Sequence, residues 1–403
     1  MKAKIGLDNL FKLNILLFYL IYNFYIWHQL TIVSISFLLM FVLNVIIYVF
    51  SIKKIEFVDF IAILLIVCSF VCVVINGLHN NVTFSFSYFN KYLMFFNTII
   101  SFCYLVKNHD CFLSNKSFFN YVVRLNTISC VNTIIAFKYL GSSAYVMNNV
   151  VAKYLCMNFE NPNKFALFIT PIALLQFNFV LIDAGKIKKI IYCLLYCFMF
   201  YFIFESGSRN AQLVLIIATI SSLIYKFKYS KVSFIISKKL IFLISIFPIL
   251  FFSIYMFFIN SNFINSYFSF LVSDGKGLDS RVMIWEKAIR NFQINPLLGS
   301  YYEISDGTGV SQLHNTHVDV LTTYGLISFF LFIIFLYNYY KYINLNKKNN
   351  FISNIFFIQL LLLTFLGCGE ASLFSGGTGF NVSYLIFSVF CFFDGNLYQQ
   401  SKT

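Results

Sequence analysis

Charge is what this sequence has least of. Only 11% of its 403 residues are Asp, Glu, Lys or Arg, where a typical soluble domain carries about 25%. With 60% hydrophobic residues and a mean hydropathy of +0.79, a water-soluble enzyme of this size is excluded, because it could not hide so much apolar surface. Proline is scarce too, with four in all, and no low-complexity linker joins one part to another, which argues against a string of domains. Disordered chains are polar and poor in aromatics, whereas Phe occurs 54 times here and Tyr 27 times, so disorder is excluded. The apolar stretches do not alternate with polar residues as barrel strands do; Ile32 to Phe50 is one continuous run. What remains is an all-α, polytopic integral membrane protein.

A membrane helix needs about 20 mainly apolar residues. Twelve such segments can be drawn, near 11–27, 30–50, 58–76, 92–106, 119–137, 165–183, 187–204, 211–225, 240–259, 318–340, 353–366 and 380–395. They divide the chain into an N-terminal bundle of about nine spans (1–259), a large hydrophilic loop (260–317) and a C-terminal bundle of about three (318–403). Acids number 15 against 29 bases, a net charge of +14. With both termini in the cytoplasm, the inner segments hold 20 of the 29 bases and six of the acids, so the inner face carries the whole excess and the outer face is neutral. Topology therefore accounts for the basic balance, and a nucleic-acid partner is not implied. No internal repeat is visible, which disfavours transporters built from repeats.

The ten cysteines lie mostly in apolar runs, where Cys acts as a small hydrophobe. Cys156 and Cys368 fall in predicted outer loops and form the one pair for which a disulfide stays open. Arginine is rare: Arg124, Arg209, Arg281 and Arg290, the last three on the outer side. A guanidinium grips phosphate oxygens bidentately, whereas lysine suffices to mark topology. Outer arginines in a chain that otherwise uses lysine suggest anion binding; ordinary ion pairing is the plainer alternative.

Four of five histidines are also outer. Two of them, His314 and His317, sit in Leu313-His314-Asn315-Thr316-His317-Val318-Asp319, where the large loop re-enters the membrane. The HExxH spacing of zinc enzymes is absent, and no metal site is predicted. Asn315 or Thr316 suits a helix cap, and His314 a base near neutral pH. Residues 279–292 predict an amphipathic helix capped by Asp279 or Ser280, with Val282, Trp285 and Ile289 as its apolar stripe. Arg281 stands at its anion-favouring N-terminal end, Trp285 is expected at headgroup level on the outer bilayer surface, and Arg290 faces headgroups or a local acid. Glu205-Ser206-Gly207-Ser208-Arg209-Asn210 is a polar patch opening another helix. A cation in a helix's first turn is unfavourable unless an anion offsets it, either a ligand or Glu205.

Taken in order, Ser206-Gly207-Ser208-Arg209, then Arg281 and Trp285 followed by Asn295-Pro296-Leu297-Leu298-Gly299, then His314-Asn315 followed by Tyr324-Gly325-Leu326, resemble the elements of the O-antigen polymerase and O-antigen ligase superfamily. Asn161-Pro162-Asn163 before a helix resembles another. The resemblance implies a GT-C-like fold with one large periplasmic loop containing short amphipathic helices. It implies a bacterial inner-membrane glycosyltransferase that uses oligosaccharide carried on undecaprenyl diphosphate and requires no cofactor. Carried onto this sequence, Arg209, Arg281 and His314 form the catalytic site. Arg290, Asn315, His317, Trp285, Glu303 and Asp319 are expected to line the substrate, with Glu303, Asp306 and Asp319 as alternative bases. The implied partners are the lipid-linked oligosaccharide, membrane lipids and, for a polymerase, a chain-length regulator protein. The composition, rich in Phe, Tyr, Ile, Asn and Lys, resembles the polymerases more than the ligases; a lipid-linked oligosaccharide flippase is the alternative from another class.

The orientation is open to direct measurement. In a cysteine-free variant, a single cysteine at position 306 should react with a membrane-impermeant maleimide from the outer side, and one at position 230 only after permeabilisation. The reverse pattern would place Arg281 and His314 inside the cell and remove them from any outer-face chemistry.

Overall fold

The computed structural model describes residues 2–51, 56–82, 84, 89, 91–93, 95–103, 116–148, 152–159, 162–182, 185–228, 235–259, 278–301, 313, 315–368 and 380–393. The chain is an all-α polytopic membrane protein. The helices are α1 (Lys2–Ile26), α2 (Leu30–Ser51), α3 (Phe57–His79), α4 (within 91–103), α5 (Lys116–Leu140), α6 (Pro162–Ile182), α7 (Lys186–Glu205) and α8 (Arg209–Lys228). They continue with α9 (Lys238–Ile259), α10 (Leu278–Ile294), α11 (Thr316–Asn346), α12 (Phe351–Thr364) and α13 (Phe380–Cys391). A single antiparallel hairpin, β1 (Tyr145–Asn148) with β2 (Ala152–Leu155), is the only sheet among the described residues.

Helix occurs in all twelve predicted segments, but only eight helices among the described residues are long and apolar enough to cross a membrane. The others fall short for visible reasons. At 1.5 Å per residue the 12 residues of α13 reach about 18 Å, well below the hydrocarbon thickness. Lys116, Arg124, Lys138 and several amides dilute α5. The helix within 91–103 and α9 both run to the edge of the described residues.

Where each helix sits follows from its apolar pattern. On α7, Ile187, Ile190, Leu194, Phe198 and Tyr201 recur at helical spacing and are all exposed, a lipid-facing stripe. By contrast, α6 is buried nearly all round and forms the centre of the bundle. Polar side chains inside the bundle pair with one another, since an unpaired amide in hydrocarbon is costly. Asn14 donates to Asn44, which donates to Asn97 at 2.7 Å, tying α1, α2 and α4. Asn126 donates to Gln176 at 3.0 Å, and Asn178 and Gln359 exchange bonds of 2.7 and 2.9 Å.

The decisive feature is a reversal inside α11. Gly325 has φ +78° and ψ 176°, which no helix contains. An unbroken helix would hold residues 317 and 332 about 22 Å apart along its axis. The rings of His317 and Phe332 nevertheless lie 5.4 Å apart, and those of His317 and Phe329 6.2 Å apart. The arm from Thr316 to Tyr324 therefore folds back against the arm that follows. Phe95 touches both, at 4.7 Å from Tyr324 and 6.3 Å from Phe332. Beyond Gly325, the 21 residues to Asn346 suffice to span a bilayer alone, at about 31 Å.

The break is held by the turn after α10. Leu326 N–H donates to Pro296 O at 2.9 Å, and Ser300 N–H to Thr322 O at 2.8 Å. Asn76 of α3 donates to the carbonyls of Leu298 and Gly299 at 3.2 and 3.3 Å. Backbone lies directly on backbone here: a Cβ on Gly325 would fall 2.1 Å from Leu297 O, and one on Gly299 (φ +73°) 2.5 Å from Thr323 O. The Pro-Leu-Leu-Gly and Gly-Leu elements are two halves of one lock.

Gly325→Ala should thus cost at least about 3 kcal/mol of stability in detergent, combining strain and clash. Gly141→Ala, with φ +53° but nothing within 4 Å of the added carbon, should cost about 1 kcal/mol. Equal losses at the two sites would show that the lock contributes nothing.

Candidate functional site

The start of α11 is built by one amide. Asn315 Oδ1 accepts from the N–H groups of His317 and Val318 at 3.0 and 3.1 Å, satisfying two donors that a helix start leaves unpaired. Its Nδ2 donates to Pro248 O in α9 at 3.0 Å and to Cys368 O at 3.2 Å. The amide is fully buried and fully engaged, so the expectation that Asn315 binds substrate is corrected: it positions the start of α11.

His317 is corrected because its ring is fully enclosed, although its Nδ1 has no hydrogen-bond partner among the described residues. Its Nε2 meets Ser245 O at 2.7 Å, and because a carbonyl only accepts, Nε2 carries the proton. Its ring is fully buried against Phe329 and Phe332. Trp285 is likewise buried, not at headgroup level. Its ring stands edge-on to Phe252 at 5.2 Å, it packs on Val318, and its Nε1 donates to Leu313 O. Ala288 of the same helix packs on Leu313. The apolar stripe of α10 faces α9 and the start of α11, which offer it a drier seat than the bilayer surface.

Arg281 lies one turn before Trp285 and two before Ala288, so its position belongs to the face of α10 turned towards the start of α11. Arg290 is nine residues further on, half a turn round the helix. It is exposed and pairs with Glu286 at 3.7 Å, so it is not brought into the site. The helix itself begins at Leu278 and includes Asp279 and Ser280, a residue or two earlier than the predicted cap.

Arg209 is the first residue of α8 and is exposed. The turn before it is tightly made. Ser206 Oγ donates to Ile203 O at 2.7 Å and accepts from Ser208 N–H at 3.3 Å. Gly207 has φ +67°, and a Cβ there would sit 2.4 Å from the ring of Tyr154, a residue of β2. The hairpin, which the sequence pattern does not reveal, is thus seated on the Ser-Gly-Ser-Arg turn. Glu205, offered above as the partner of Arg209, lies near Tyr145 of β1.

Asn210 joins this turn to the rest. Its Nδ2 donates to Leu366 O at 2.9 Å, in the 3-10 segment Phe365–Cys368 whose last carbonyl is held by Asn315. Two residues of 3-10 helix rise about 4 Å. The start of α8, the start of α11 and, through Trp285, α10 therefore converge on one locality. His314, Glu303 and Asp306 lie outside the described residues, as does the side chain of Arg281.

One contact was not legible in the sequence. Lys91 Nζ binds Asp319 Oδ1 at 2.7 Å, across 228 residues of chain. Asp319 is buried in the returning arm; Thr323 also donates to Oδ1, at 3.3 Å, and Oδ2 has no partner among the described residues. Residues 317 and 319 point to opposite sides of the helix, so they share no ligand. Among the described residues no group of three His, Cys, Asp or Glu side chains is placed to hold a metal. Cys156 and Cys368 are both buried free thiols.

A buried carboxylate whose cation is removed is left uncompensated, at about 3–5 kcal/mol. Lys91→Met should destabilise the protein by that order, and Asp319→Asn should recover much of the loss in the double variant. Additive losses on denaturation would show the pair to be incidental.

Residues 194–333 match a family model described as O-antigen ligase. The match takes in the second half of α7, α8 to α10 and the first part of α11, and with them all the elements named above from Ser206 to Leu326. It supports membership of the O-antigen polymerase and ligase superfamily. No curated protein matches the chain.

Proposed function

We propose that the protein is a glycosyltransferase of the O-antigen polymerase type, joining oligosaccharide repeat units carried on undecaprenyl diphosphate at the outer face of a bacterial inner membrane. The observation that supports the reading is that the starts of α8 and α11 and the Trp285 face of α10 are tied into one locality through the carbonyls of Leu366, Cys368 and Leu313.

The chemistry suits those residue types. The donor already carries a good leaving group, so the acceptor hydroxyl must be placed and deprotonated and the departing charge received. In a direct displacement the acceptor oxygen bonds to the anomeric carbon and the bond from that carbon to the diphosphate oxygen breaks. The electron pair leaves with the diphosphate, the hydroxyl proton passes to the His314 imidazole, and the anomeric configuration inverts. Arg209 and Arg281 grip the diphosphate, supplying charge at the oxygens where it develops. Arg281 in the first turn of α10 adds the positive end of that helix.

The description of the matched family favours a second reading, transfer of finished glycan to lipid A–core by a ligase. A null strain separates the two: one repeat unit on lipid A–core marks a polymerase, and none marks a ligase. With purified protein in detergent and lipid-diphosphate repeat units, wild type should lengthen the lipid-linked chains, which a flippase does not do. Arg281→Ala and His314→Ala should each abolish product with expression intact, and Arg281→Lys should recover little of it, because an ammonium lacks the bidentate fork. Full activity in any of these variants would remove that residue from the mechanism.

A further inference from the structure

A cavity of about 340 Å³ opens beside the hairpin. Its buried lining is Tyr25, Cys156 and Phe159, the two rings stacked with centroids 4.4 Å apart. Its more open lining includes His28, Ser143 and Asn158. These three keep hydrogen-bonding capacity for a ligand. Asn158 spends Nδ2 on Ile26 O at 2.8 Å and keeps Oδ1, while Ser143 donates to Leu140 O at 2.7 Å and keeps its lone pairs. No hydrogen bond to the His28 ring is seen among the described residues.

The local backbone is strained where this cavity is formed. Among the described residues only four other than glycine have positive φ, and three of them are His28 (57°), Met157 (46°) and Asn158 (64°). Each such conformation costs about 1–3 kcal/mol and persists where a site requires it. A cavity of this size, apolar at its base with a few polar groups at its mouth, has the form of a small-molecule site.

The lining selects among ligands. No Lys or Arg lines it, so a phosphate would find no counter-charge. An isoprenoid chain would strip water from three polar groups and return no hydrogen bond. A neutral sugar ring fits both halves, its hydroxyls donating to Asn158 Oδ1 and Ser143 Oγ and its weakly positive C–H face lying on an aromatic surface. The position also fits. Tyr154 rests on Gly207 beside Arg209, and Cys156 is two residues further along the same segment, about 7 Å in extended chain.

We propose that this cavity is a subsite for one neutral pyranose unit of the transferred glycan, remote from the reacting bond and joined to the arginine turn by the hairpin. The proposal rests on the glycosyltransferase reading above. It predicts binding without a diphosphate. The test is saturation-transfer NMR of the full chain in a sugar-free zwitterionic detergent, with methyl glucoside, galactoside, mannoside, rhamnoside and N-acetylglucosaminide as probes. At least one should bind at millimolar concentration. Binding should weaken at least tenfold in Val146→Trp, which fills the mouth from β1, and in His28→Asn, which tolerates the same backbone, and should persist in Arg281→Ala. Unchanged thermal unfolding of either variant keeps the comparison valid. No binding by any probe, binding indifferent to both substitutions, or displacement by farnesol would overturn the subsite. Loss of glycan transfer in Arg281→Ala is read separately, so the subsite and the glycosyltransferase reading can fail independently.

Discussion

A helical arm that turns back into a membrane bundle must find partners for its freed backbone groups where water is absent. Here the partners are other backbone groups. The arm from Thr316 to Tyr324 reverses at Gly325, and the Pro296–Gly299 turn fills the break so closely that neither Gly299 nor Gly325 has space for a single added carbon. The reversal brings the Asn315 cap to the level of Pro248 in α9 and carries Asp319 to Lys91.

Charge and polarity inside the bundle follow the same economy. The carboxylate of Asp319 is tolerated because Lys91 and Thr323 meet it, and the buried amides of α1, α2, α4, α5, α6 and α12 pair with each other. Several residues first expected to touch substrate hold the frame that would present it. Asn315 spends both ends of its amide on backbone, His317 is closed against Ser245, and Trp285 is the peg that fastens α10 to α11. Such residues recur beside reactive groups because a reacting side chain placed by a neighbour's amide or indole keeps its own polar atoms free.

Much of this was legible in the linear chain, and for simple reasons. Continuous apolar runs show helices in a bilayer, and Ser206–Arg209, Arg281, Trp285 and His314-Asn315 show themselves by being polar or rare in so apolar a sequence. Lys91 gave no such signal, since it is one lysine among many and its partner lies 228 residues away. The burial of Trp285 was illegible for a related reason. An amphipathic helix carries the same stripe whether it meets a bilayer or another helix, and only the neighbouring Phe252, Leu313 and Val318 decide which.

The sequence by itself determined that this chain lives in a membrane as helices, because composition and apolar run length settle which solvent each segment can tolerate. It also determined which polar elements stand out against that background. Only the tertiary structure decided that α11 doubles back, that the Pro-Leu-Leu-Gly and Gly-Leu elements are one lock, and that a hairpin rests on Gly207. These are contacts between residues far apart in the chain, and their energies depend on distances of a few ångströms that no local pattern of residues encodes.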